Sequence, residues 1–228
     1  MNNITYEEIN PEIFSNNKWL ILKEIAEAPQ SPSDLALKTN TSLSNITQQL
    51  KLLEAYRLVR KEKSEEKSSG KPRTIYYINT ELVYSVILRN GKAERKLFMI
   101  DNANSLFFNI IFSMNQEDLT FMLKFSFKYE DILKKCKAIG FLKSTKDSIE
   151  LFLITDHLDE IRSKFSNIFV DDHHGKTKKI INWSHNEFEV NDGLTRKDKY
   201  YMDMIKNVQI IHDPNAILRN IKTHRENM

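Results

Sequence analysis

Cysteine is all but missing: Cys136 is the only one in 228 residues. A lone thiol can neither close an internal disulfide nor build a cysteine-rich metal site, so an intracellular, cytoplasmic protein is expected. Glycine and proline are scarce, at five each, which argues against long disordered linkers, and no glycine-rich phosphate loop is present. Neither sign of charge dominates. The net charge is +3, so no overall basic character advertises nucleic acid. Long apolar runs are also lacking. The longest, Leu106 to Met114, is interrupted by Asn109 and is too short to cross a bilayer. Met1 to Asn10 is polar and acidic, so no signal peptide is expected. Aromatic residues are plentiful, with 13 Phe, and the length suits two small packed domains.

The most informative stretch runs from Gln30 to Asn79. A short helix is predicted over Ser33 to Lys38, capped by Ser33, with Pro32 just outside and Asp34 in the first turn. Thr39-Asn40-Thr41 is a turn. A second helix starts near Ser42 or Ser44 and runs to about Tyr56. Its Leu43, Ile46, Leu50 and Leu53 recur at three and four residues and form one buried stripe. The other side holds Ser44, Asn45, Gln48, Gln49 and Lys51, with Ser42 and Thr47 nearby. These are neutral donors and acceptors with one cation, and no acid appears before Glu54. That chemistry suits base edges and phosphates.

Tyr56 to Ile78 then reads as a basic hairpin. Val59 pairs with Ile75 to Ile78, and Ser68-Ser69-Gly70 makes the tip. Lys63, Lys67, Lys71 and Arg73 are placed to follow a phosphate backbone. By itself such a hairpin is a solvated loop. Joined to the helix pair at this distance, it completes a winged helix-turn-helix, which puts its second helix in the major groove.

Lys18 to Asn79 resembles the winged-helix domain of bacterial and archaeal transcription regulators of the arsenic-repressor type. The resemblance rests on Leu20 to Ile25, Ser33 to Ala36, Leu43 to Glu54 and Leu58-Val59. It implies binding to double-stranded DNA, through Ser42, Ser44, Asn45, Thr47, Gln48, Gln49, Lys51 and the four hairpin cations, and it implies a homodimer. The cysteine motifs of the metal-sensing members are missing, so metal sensing does not carry over.

Around this core, Pro11 to Ala28 is expected to be helical, with Ser15 at a break and Trp19, Leu22, Ile25 and Ala26 inward. Thr80 to Arg89 is read as a helix stopped by Asn90-Gly91. Ala103 to Phe112 and Gln116 to Tyr129 are apolar helices, either core or dimer interface. From Tyr129 strands alternate with helices: strands at Ala138 to Leu142, Ile149 to Ile154, Ile180 to Trp183 and Val208 to His212, helices at Asp156 to Phe165, from Ser184 through Glu189, Leu194 to Lys206 and Asn215 to His224. The expected fold class is α+β, with a winged helix over 11–79, a helical linker or dimerisation region over 80–128, and a small α/β domain over 129–228.

Tyr129 to Lys222 is also similar to nucleotidyltransferases of the MNT and polymerase-beta type. The similarity rests on Ile139-Gly140-Phe141, Thr145 to Ile154 and Lys206 to His212. It implies a Gly-Ser pair leading to a turn, a metal-holding Asp-x-Asp and a third acid on the next strand. Here Phe141 stands in place of the serine, Ser148 and Glu150 in place of the aspartates, and Ile180 to Trp183 carries no acid. Two-metal phosphoryl transfer needs several converging oxygen ligands, so an inactive copy is expected, one that binds a nucleotide or another small ligand at most. No metal or cofactor is expected elsewhere. His173 and His174 beside Asp171 and Asp172 read as a solvated loop, and Cys136 as a packed thiol. The reading is a non-enzymatic transcription regulator. The alternatives are a winged-helix-targeted nucleotidyltransferase relying on Glu150 and a winged-helix protein-interaction module.

Overall fold

The computed structural model describes residues 10–64, 72–101 and 104–226. The chain is mixed α and β and divides into two compact units at Ile100 and Asp101. Among the described residues no helix is long and apolar enough to cross a membrane.

In the first unit a short 3-10 turn, Pro11–Phe14, precedes helix α1, Asn16–Glu27. Ser15 marks the break, and its hydroxyl donates to the Glu12 carbonyl. Helices α2, Pro32–Lys38, and α3, Leu43–Ala55, follow. Strands β1, Val59–Lys63, and β2, Thr74–Ile78, pair antiparallel from Val59 opposite Ile78 to Lys63 opposite Thr74. Ile21, Ile25, Leu35, Ile46, Leu50, Leu53, Leu58, Val59 and Tyr76 bury together beneath the helices. Trp19 is not part of this core. It is half-exposed, because α1 turns Ile21, Leu22 and Ile25 inward instead.

The expected helix over Thr80 to Arg89 is a strand. Strands β3, Leu82–Arg89, and β4, Lys92–Met99, pair antiparallel across all eight positions, with Asn90-Gly91 as their turn. Two forces oppose the helical reading. Val83, Tyr84, Val86 and Ile87 are β-branched or aromatic and favour extended backbone. Asn-Gly between two extended runs makes a hairpin, with Gly91 at φ 77° supplying a backbone angle that most residues resist. The region 80–128 is therefore not helical throughout, and the boundary between units lies after this hairpin.

The second unit opens with α4, Ser105–Ser113, and α5, Gln116–Lys128, the two apolar helices expected there, followed by the short α6, Glu130–Leu133. Next come β5, Cys136–Ser144; β6, Ser148–Thr155; α7, Leu158–Lys164; β7, Ile168–Asp171; β8, Thr177–His185; α8, Glu187–Thr195; α9, Lys199–Asn207; β9, Gln209–His212; and α10, Ile217–Glu226. The strands order as β7-β8-β6-β5-β9. β6 and β8 are parallel, and the other neighbours antiparallel. Phe121, Phe125, Leu151, Leu153, Ile161 and Phe165 fill one face of the sheet. Phe152, Ile154, Val190, Ile205, Val208 and Leu218 fill the other.

Two of the boundaries that differ from expectation have a clear local cause. Strand β8 runs on to His185, so the cap of α8 is Asn186, which forms a reciprocal capping box with Glu189. The predicted helix from Leu194 to Lys206 breaks at Lys197, at φ 56°, and restarts under the Asp198 cap.

Candidate nucleic-acid interface

The site is assembled from caps inward. Ser31, not Ser33, caps α2: its Oγ accepts from the Asp34 amide at 3.2 Å and donates to the Asp34 carboxylate at 2.7 Å. Pro32 sits at the first helical position, where its missing N–H costs nothing. That preference moves the cap two residues upstream of the expected one. Asn40, at φ 50°, turns the chain, and the Thr41 amide donates back to the Ala36 carbonyl at 3.0 Å. Ser42 caps α3, its Oγ accepting from the Asn45 amide at 3.3 Å. This turn fixes α3 against α2, and Ile46, Leu50 and Leu53 anchor it to the core with no exposed surface.

The polar side of α3 is close to the expected one, with two corrections. Ser42, Ser44, Gln48 and Lys51 are exposed, and Thr47 and Gln49 are half-buried. Thr47 donates its hydroxyl to the Leu43 carbonyl at 2.7 Å. The first correction concerns Asn45. Its Oδ1 is shut away from solvent and accepts no hydrogen bond among the described residues, so it is not a fully presented amide like Gln48. The second concerns Leu43, expected in the buried stripe but 51% exposed. As the first residue of α3 it precedes the point where the helix meets the core.

The far end of α3 is pinned as firmly. Arg57 takes φ 58°, and its carbonyl accepts from Asn79 Nδ2 and Thr80 Oγ1, each at 2.8 Å. This ties the base of the β1–β2 hairpin to the end of α3. A bridge between Gln30 and Tyr76 adds a second pairing, on the other edge of β2. The cations of the hairpin differ in engagement. Lys61 meets Glu54 at 2.9 Å, and that hydrogen bond and charge raise its pKa. Arg60 pairs with Glu62. Lys63 and Arg73 form no ion pair among the described residues, while Lys67 and Lys71 lie outside them.

Arg73, Thr74, Ser31, Ser33, Leu43 and Thr47 line a cleft of about 450 Å³ between the start of α2, the start of α3 and the hairpin. The structure thus brings Thr47 and Arg73 together from the expected set. Leu43 and Ser31 were missed as cleft residues, although Pro at the first helical position gave the signal for Ser31.

In the second unit, Glu150 is occupied. One oxygen lies 3.2 Å from Lys143 Nζ, and the other accepts from the Trp183 indole at 3.0 Å. Ser148 shares a hydrogen bond with Thr145 at 2.9 Å. Phe141 packs against the core, and Asn182 donates to the Phe165 carbonyl at 2.9 Å. A Cβ at Gly140 would collide with the Val208 side chain, so packing explains that glycine. Asp172 accepts from the amides of His174 and Lys176, which closes the His173-His174 turn. Burial pushes the Cys136 thiol up to about 12. His185 lies between Glu189, Tyr200 and Tyr201, with burial holding its pKa low and pushing Tyr200 up to about 12. These groups tie β8, α8 and α9 together as donors and acceptors. Among the described residues no three His, Cys, Asp or Glu side chains are grouped to hold a metal ion.

Comparison with known protein families gives no match to this chain, and comparison with curated proteins gives none.

Proposed function

We propose that the first unit is a winged helix-turn-helix that binds double-stranded DNA, and that the protein is a transcription regulator. One observation carries the reading. The solvent side of α3 presents Ser44, Gln48, Gln49 and Lys51 with no acid, beside a hairpin whose Lys63 and Arg73 have no ion pair among the described residues. Amide side chains pair well with adenine edges, and free cations displace counterions from phosphates. In this reading α3 lies in the major groove and the hairpin runs along the backbone. The homodimer belongs to the proposal too, and the exposed Phe112 and Phe127 on α4 and α5 supply apolar surface for it.

The second unit is proposed as a nucleotidyltransferase-like scaffold without that chemistry, because the acid on which transfer would rest is held by Lys143 and Trp183. A cleft of about 290 Å³ lined by Arg162, Ser166, Lys179 and Asn182 is the candidate seat for a nucleotide or other anion.

Leu37, 81% exposed, and Leu43 favour a second reading, a winged helix that docks on protein. Titration of labelled duplex separates the two. DNA binding weakened in Lys63→Ala/Arg73→Ala and unchanged in Leu37→Ser supports the first reading. No duplex binding at any salt concentration overturns it.

A further inference from the structure

The β3–β4 hairpin does more than connect the two units. Because its strands pair in register, residues directly opposite share a face. One face carries Arg89 with Lys92, Ile87 with Glu94, and Ser85 with Lys96. The other carries Val86 with Arg95 and Leu88 with Ala93. Cations outnumber acids on the ribbon: Arg89, Lys92, Arg95 and Lys96 stand against Glu94 alone, which Lys92 meets at 2.9 Å. Near the tip Val86 is 59% and Leu88 77% exposed. A merely solvated hairpin has no use for aliphatic groups there, and a two-stranded ribbon alone in water is marginally stable.

Dimensions decide what covers it. Eight residues per strand reach about 27 Å, and two strands span about 10 Å. Such a face offers about 300 Å², short of a standard protein interface at roughly 800 Å² per partner and of a single DNA-binding module at about 600–1,000 Å², so it adds to another contact instead of standing alone. A row of cations on one face suits a run of phosphates, and two-stranded ribbons are among the elements by which proteins contact DNA. The base is fixed by Asn79 and Thr80 to the end of α3. A reach of about 27 Å exceeds half a helical turn of DNA, about 17 Å.

We infer that the β3–β4 ribbon is a second DNA-contacting arm. It reaches past the groove that α3 enters, with Arg89, Lys92 and Lys96, which share one face, on the phosphates beyond it. This rests on the reading of α3 as a DNA helix.

The test uses the full chain on a duplex longer than the α3 site, with salt-dependent affinity and a hydroxyl-radical footprint as readouts. Arg89→Ala/Lys92→Ala/Lys96→Ala should lower the salt slope by about 2–3 and shorten the footprint on one flank, with thermal unfolding unchanged. An unchanged slope and footprint in that variant, while Lys63→Ala/Arg73→Ala flattens the slope, overturns the arm and leaves α3 standing. Conversion of a dimer to a monomer by Leu88→Glu, with the triple variant's slope unchanged, also overturns it, because the apolar face then covers a second copy. No duplex binding by the unaltered protein removes both readings together.

Discussion

Lys178 Nζ lies 2.6 Å from Asp118 Oδ1, and both side chains are almost wholly buried. The ammonium spends its other hydrogen bonds on Ser144 Oγ, at 2.9 Å, and the Thr145 carbonyl, at 2.7 Å. Asp118 also accepts from Asn115 and Ser144. The pair links the start of α5, the β5–β6 turn and β8. Breaking a buried pair strands the remaining charge, at a cost of about 3–5 kcal/mol. Lys178→Met should lower the unfolding free energy of the second unit, measured by urea titration, by that amount. Asp118→Leu combined with Lys178→Met should recover most of it, because no charge is then stranded.

The same pair sets a pH dependence. Burial alone would raise the Asp118 pKa, but hydrogen bonds from Lys178, Ser144 and Asn115 and the charge of Lys178 outweigh it and hold the carboxyl below its ordinary value. The folded pKa is therefore below the unfolded one. The contribution is fully present above the unfolded value of about 3.9 and is lost as pH falls through the lower folded value. Unfolding followed by circular dichroism should show a shallower acid limb for Asp118→Asn than for the unaltered chain. Identical acid limbs would show that the pair does not govern acid stability.

Gly193 packs against the ring of Tyr201, and a Cβ there would overlap it. Tyr201 in turn contacts His185. A stiff ring cannot yield as a flexible chain end does, so Gly193→Ala should destabilise by about 1–3 kcal/mol. Denaturant titration measures this, and a neutral result would show that α9 moves away at little cost.

Gln48 is exposed on α3 while Asn45 has one amide oxygen sealed from solvent. Gln48→Ala should therefore lose about 1–3 kcal/mol on the preferred duplex and much less on random DNA, whereas Asn45→Ala should change discrimination less. Competition titrations check both. An equal loss on the two DNAs would make Gln48 a backbone contact.

Legibility in the sequence followed the strength of the local signal. The stripe of Ile46, Leu50 and Leu53 was readable because burial there follows the helical period, and β6, α4 and α5 were readable because each is a run of mostly apolar residues. The β3–β4 hairpin was misread because Leu82, Val83, Val86 and Ile87 also fit a helical period, and Asn-Gly serves as both a helix stop and a hairpin turn. The cap at Ser31 needed the role of Pro32, and the rim position of Leu43 needed the angle between α2 and α3. The Asp118–Lys178 pair joins residues sixty positions apart, and no local pattern announces such a contact. The same holds for the Glu150–Trp183 hydrogen bond, set by the parallel register of β6 and β8.

The central claim is that α3 and its hairpin bind duplex DNA. The most direct test is the affinity of the full chain for duplex fragments selected from a random pool, measured across a salt series. The account predicts selectable fragments, log affinity falling linearly with log salt, and a shallower slope in Lys63→Ala/Arg73→Ala. Failure to enrich any fragment, or an affinity indifferent to salt and to those two substitutions, would contradict it.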